Sequence, residues 1–145
     1  MATGNVVITG ASTGIGEACA LRLDQMGFRV FAGVRKSADG DALKSKASDR
    51  LSTLLLDVTS AESIAAAVKT IGDVPVAGLI NNAGIVVSGP VELIPLSEWR
   101  KQFEVNVIGA IAVTQAFLPH LRNGRGRIVN IGSIGGRGSL PYGGP

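Results

Sequence analysis

The chain has 145 residues, 46% of them hydrophobic and 17% charged, with a formal charge of +3 and one cysteine. That length holds one domain with one sizeable core, the lone Cys19 excludes an internal disulfide and reads as a small core residue, and no apolar run reaches the length of a membrane span. The basic residues are spread along the chain and aromatics make up only 4%, so no stacking platform accompanies the charge and a nucleic-acid partner is not expected. Strand-like runs at about 5–9, 28–34, 51–56, 76–81 and 127–132 alternate with helix-like segments near 14–26, 39–47, 60–71 and 96–121. Such alternation predicts an α/β domain with a parallel sheet, buried on both faces, in keeping with the high apolar content. In the fourth helix, Trp99, Phe103, Val107, Ala110, Ile111 and Thr114 recur at spacings of three and four, which predicts a packed face.

Right-handed crossovers place the first two helices on one face of the sheet and the third on the other, giving strand order 3-2-1-4-5. A ligand is then expected at the carboxyl ends of strands 1 and 4, where the order reverses. The distinctive residues of the chain fall on loops at those ends. Strand 1 runs into Thr9-Gly10-Ala11-Ser12-Thr13-Gly14-Ile15-Gly16 and then a helix. In that turn Gly10 allows a sharp bend, Gly14 leaves bare backbone for an anion, and Gly16 lets helix and strand pack closely. Free N–H groups at the helix start favour a pyrophosphate there. The spacing Gly-x-x-x-Gly-x-Gly differs from the common dinucleotide fingerprint and is weak evidence alone. By contrast, Arg122-Asn123-Gly124-Arg125-Gly126-Arg127 precedes a strand and reads as a solvated turn on the opposite side.

Three more motifs accompany the glycine turn: Asn81-Asn82-Ala83-Gly84 after strand 4, Asn106 within Glu104-Val105-Asn106-Val107, and Arg127-Ile128-Val129-Asn130-Ile131-Gly132-Ser133. Together, in this order, they resemble the short-chain dehydrogenase/reductase family across essentially the whole chain. The resemblance implies a Rossmann-like doubly wound sheet over residues 1–145, with the carboxyl-terminal part of the family fold missing. It also implies reversible hydride transfer between a nicotinamide and a carbonyl or alcohol carbon of a small-molecule substrate. By it, Ser133 hydrogen-bonds the substrate oxygen, and Asn106 bends its helix and holds a water in a proton relay. Asn82, Ala83 and Gly84 join Gly10, Ser12, Thr13, Gly14, Ile15 and Gly16 as cofactor-binding residues. Asp57 and Val58 contact the adenine, Asp57 by accepting from the amine and Val58 through its N–H. Read without the resemblance, Ser133 is a loop serine, Asn106 a polar break in a helix and Asp57 a turn or cap residue.

The segment after strand 2, Phe31-Ala32-Gly33-Val34-Arg35-Lys36, has no acid before Asp39. An acid there would hold the ribose hydroxyls of NAD, whereas the 2′-phosphate of NADP calls for a cation. NADP is therefore expected over NAD, with Arg35 on the phosphate and Lys36 and Ser12 as helpers; the competing reading of Arg35 and Lys36 is an exposed loop. No metal site is expected. The family's Tyr-x-x-x-Lys falls beyond Pro145, and neither Tyr142, nine residues after Ser133, nor His120 at a helix end replaces the tyrosine. The chain by itself is expected to bind weakly, to lack turnover and to self-associate through an exposed strand 5. Alternatives are a non-catalytic NADP-binding module, or half of a split enzyme completed by another chain. The family places oligomer contacts on the fourth helix, and the apolar stretch 85–95 is expected to border the substrate crevice. The start, Met1-Ala2-Thr3-Gly4-Asn5, has no basic segment leading into an apolar one, so a cytoplasmic location is expected.

Overall fold

Runs of branched residues build five strands, β1 (Asn5–Ile8), β2 (Arg29–Val34), β3 (Leu51–Leu55), β4 (Val76–Asn81) and β5 (Arg127–Asn130). In the computed structural model, which describes residues 4–138, they form one sheet in the order β3-β2-β1-β4-β5, every pairing parallel. The order is the one expected from the crossover rule. Between the strands lie α1 (Gly14–Gln25), α2 (Ser37–Lys44) and α3 (Ala61–Ile71), and before β5 come α4 (Leu96–Phe103) and α5 (Ala110–Asn123). A π-helical segment, Glu104–Gly109, joins α4 to α5. The second helix thus runs 37–44 rather than 39–47, since Ser37 already accepts helical geometry after the extended Lys36.

Because strand side chains alternate between faces, adjacent residues enter different cores. Val7, Phe31, Leu54 and Leu79 pack with Ile64, Ala67 and Ile71 of α3 and Val113, Phe117 and Leu121 of α5. Ile8, Val30, Ala32, Val34 and Leu51 pack on the other face with Ala20 of α1 and Leu43 of α2, and Cys19 lies partly buried against that cluster. Each fully buried side chain of this size contributes about 1.5–3 kcal/mol.

The expected packing face of the fourth helix needs correction. Phe103 is 56%, Val107 42% and Ile111 50% exposed, while the inward positions are Gln102, Gly109, Val113, Phe117 and Leu121. Trp99, Ala110 and Thr114 are only half-buried. This helix is apolar on two sides, and periodicity does not say which side meets the sheet. Steric fit decides: a Cβ at Gly109 would lie 2.7 Å from Val58 Cγ2, so only a glycine lets the helix approach the loop after β3 this closely. The extra residue per turn in the π segment also rotates α4 relative to α5. At the sheet edge, Ile128, Val129 and Ile131 are exposed, as expected of strand 5.

Candidate functional site

The site is assembled where β1 and β4 end side by side. Thr9, 1% exposed, sends its N–H to the Ile80 carbonyl at 3.0 Å, and its hydroxyl oxygen accepts the N–H groups of Asn82 and Ala83, each at 3.0 Å. Asn82 reciprocates, its Nδ2 donating to the carbonyls of Thr9 at 3.0 Å and Gly10 at 2.9 Å. These bonds lock the glycine turn to the Asn-Asn-Ala-Gly loop. The side chain of Asn82 is therefore committed to shaping the turn, and what it leaves toward the crevice is backbone.

Each glycine of the turn meets a different demand. Gly10 has φ +65° and a Cβ on it would lie 2.8 Å from Ala83 Cα. A Cβ on Gly16 would collide with the Gly10 carbonyl and the Asn82 amide, so the close approach expected between helix and strand is here between the helix and the loops that follow β1 and β4. Gly14 has φ +60° and faces open space, which leaves its backbone accessible. The helix that starts there is uncapped: Thr13 makes no side-chain cap bond, whereas Ser60 at α3 accepts the Ser63 N–H. First-turn N–H groups of α1 remain for an outside acceptor, and the helix dipole favours a negative one.

From this turn a crevice of about 550 Å³ extends along the carboxyl ends of the strands. It gathers Gly10, Ser12, Thr13, Ile15, Gly16, Arg35, Asp57, Val58, Asn82, Ala83 and Gly84, all expected from the sequence, with Ile85 from the stretch expected to border the substrate, and brings in Leu56, Thr59, Lys101, Glu104 and Val105, which were not. Gly14, Lys36, Asn106 and Ser133 are not among its lining residues. Lys36 is exposed and precedes α2. Ser133 stands exposed three residues past β5, where its Oγ accepts the Gly135 N–H at 3.1 Å. Asn106 lies inside the π segment, the local departure from α-helix expected at that residue, and its side chain is spent on one neighbour. Oδ1 accepts the Ile85 N–H at 2.9 Å and Nδ2 donates to the Ile85 carbonyl at 2.8 Å.

The charged residues Arg35, Asp57, Lys101 and Glu104 line the crevice, and the first two attract each other. Asp57 Oδ1 accepts from the Thr59 backbone N–H at 2.9 Å and the Thr59 hydroxyl at 2.7 Å. Those two bonds hold its carboxyl below the ordinary value; partial burial opposes them, and the Arg35 guanidinium adds to them. Asp57 is thus both a turn residue and an ionised acceptor at the crevice wall. Thr59 was legible in principle, since Asp-x-Thr is a side-chain-to-backbone turn pattern. Lys101, Glu104 and Val105 share one helix face at three- and four-residue spacing, but nothing local in the sequence turns that face to the crevice.

On the far side, Gly124 and Gly126 pack against the backbone around Val76, which places the arginine-rich turn opposite the crevice as expected. His120 is there too, its Nε2 2.9 Å from the Gly72 carbonyl. Tyr142 lies outside the described residues. Among those residues, no helix is long and apolar enough to cross a membrane, and no group of His, Cys, Asp and Glu is placed to hold a metal ion.

A family model described as short chain dehydrogenase matches residues 4–144. The chain is 46% identical over 137 residues to the 17-beta-hydroxysteroid dehydrogenase type 6 of Bos taurus, covering 91% of this chain and 43% of that protein. Among solved structures, a 3-ketoacyl-(acyl-carrier-protein) reductase from Brucella melitensis complexed with NADH superposes with TM-score 0.88 at 30% identity, over 97% of this chain and 61% of that one. ElxO with NADP bound superposes with TM-score 0.86 at 30% identity, over 97% of this chain and 59% of that one. The chain spans less than half the length of the curated relative.

Proposed function

The chain belongs to the short-chain dehydrogenase family, and from that premise we propose that its crevice binds NADP in preference to NAD and serves hydride exchange with a carbonyl or alcohol carbon. The observation that carries the cofactor choice is Arg35. It lines the crevice just past β2, and no carboxylate lies between Phe31 and Lys36. A guanidinium there pairs with a 2′-phosphate, which a carboxylate would repel.

The fit of a dinucleotide rests on the uncapped start of α1 and the bare backbone of Gly14 for the pyrophosphate. Asp57, held ionised, would accept from the adenine amine and the Val58 N–H would meet the ring, with Ser12 of the crevice lining and the exposed Lys36 beside it assisting Arg35. Backbone of Asn82, Ala83 and Gly84 lines the next stretch. A nicotinamide held by these residues would supply or accept the hydride. Ser133, at the carboxyl end of the neighbouring strand, offers its hydroxyl to the substrate oxygen, where negative charge develops on reduction. Asn106 holds the Ile85 backbone beside it.

For the substrate we propose an apolar alcohol or ketone. Val86, Val91 and Leu93 are exposed on the segment after the Asn-Asn-Ala-Gly loop, and the similar Bos taurus protein is named for a hydroxysteroid. Residues 1–145 contain no Tyr-x-x-x-Lys, so these residues alone bind the dinucleotide without turnover, and proton transfer requires a tyrosine and lysine from a longer or complementing polypeptide. Fluorescence titration with NADPH and NADH tests the reading. Tighter binding of NADPH supports it, and equal or tighter binding of NADH contradicts the cofactor assignment.

A further inference from the structure

Gln102 is a polar side chain in the inward row of α4, 8% exposed, and nothing in the family motifs assigns it a task. Its Oε1 accepts the Val87 backbone N–H at 2.6 Å. Four residues on, Asn106 Oδ1 accepts the Ile85 N–H. The two acceptors are four residues apart, Gln102 on α4 and Asn106 in the π segment that continues it. The two donors are two residues apart, about 6.6 Å in extended chain. The partners run in opposite directions, 102 to 87 and 106 to 85. Exposure alternates residue by residue from Gly84 to Ser88, as it does in an extended strand.

We propose that Gln102 and Asn106 act as a two-rung amide ladder in which helix side chains replace a neighbouring strand, and that Gln102, by holding Val87, is the positioning residue for the segment that carries Ile85 into the crevice wall. The assignment of that wall to a dinucleotide and substrate rests on the function proposed above; the ladder does not. Beyond β4 this segment has no strand beside it among the described residues, so its backbone donors take partners from elsewhere. Asn106 holds Ile85 at both its N–H and its carbonyl, but among the described residues only Gln102 holds the Val87 N–H. A side chain of similar length without an acceptor would free Val87 and leave Ile85 bonded.

Amide hydrogen exchange on the 145-residue chain, read by NMR without ligand, tests the ladder. In Gln102→Met the Val87 amide is expected to exchange roughly tenfold faster, the change for one lost hydrogen bond of ordinary strength. Ile85 and core amides such as Leu79 should hold their wild-type rates. Gln102→Glu keeps an acceptor oxygen and should restore Val87. Positioning is read by binding: in Gln102→Met, NADPH should weaken several-fold, while 2′,5′-ADP, which ends before the wall, should bind as to wild type. An unchanged Val87 rate in Gln102→Met overturns the ladder. A freed Val87 with unchanged NADPH affinity overturns the positioning role and leaves Gln102 a purely structural residue. If the wild-type chain binds neither ligand, the proposed function falls, and the exchange rates still decide the ladder.

Discussion

Replacing Asn82 by alanine isolates the bond pair that joins the two loops of the site. Its Nδ2 donates to the Thr9 and Gly10 carbonyls at 3.0 and 2.9 Å in a partly buried setting. Removing the amide leaves both acceptors without this donor, while the backbone bonds to the Thr9 hydroxyl survive. At about 1–1.5 kcal/mol for each bond lost with a partly buried partner left unpaired, the cost is about 2–3 kcal/mol. For a chain of this size that lowers the thermal midpoint by roughly 5–10 °C. Asn82→Asp is the sharper control, because it sets a carboxylate against two carbonyl oxygens and should cost at least as much. Thermal and urea denaturation followed by circular dichroism measure both. Midpoints for both variants within about 0.5 kcal/mol of wild type would refute the claim that this amide shapes the turn.

Phe117→Ala removes a fully buried ring from the core between sheet and α5 and should cost about 3–5 kcal/mol. Phe103→Ala, on the outer face, should stay within about 1 kcal/mol; the reverse ranking in urea melts would restore the face read from periodicity. Burial pushes the Asp24 carboxyl up, but the hydroxyl and N–H of Ser48 and the charge of Arg50 outweigh it and leave the carboxyl below its ordinary 3.8. A carboxyl lowered on folding adds stability above its unfolded value and loses it as pH falls through the folded one. Unfolding free energies measured between about pH 2 and 6 should therefore drop in the acid limb, and Asp24→Asn should flatten that drop; an unchanged acid limb in the variant would contradict the assignment.

The order of the sheet and the glycine turn were readable because each rests on local chemistry with few solutions. Alternating strands and helices with right-handed crossovers leave one arrangement, and Gly10 and Gly16 sit where any Cβ would collide. Thr9 and Gln102 were missed for a different reason. A threonine ending a strand and a glutamine in a charged helix look solvated in sequence, and only the fold brings Asn82 and Ala83 to the first and Val87 to the second. Helix α4–α5 misled because Trp99, Phe103, Val107 and Ile111 form as regular a row as the true inward one. What separates the rows is the contact of Gly109 with Val58, a long-range fact. Asn82 was expected among the cofactor-binding residues; it lines the crevice, and only the fold shows its side chain bracing the turn.

That Arg35 reads a 2′-phosphate is decided by one cycle: dissociation constants of NADPH and NADH for wild type and Arg35→Ala at the same ionic strength. The substitution should weaken NADPH by roughly ten- to a hundredfold, the range of a lost charge-assisted hydrogen bond, and leave NADH nearly unchanged. Equal losses for both dinucleotides, or none for either, would contradict it.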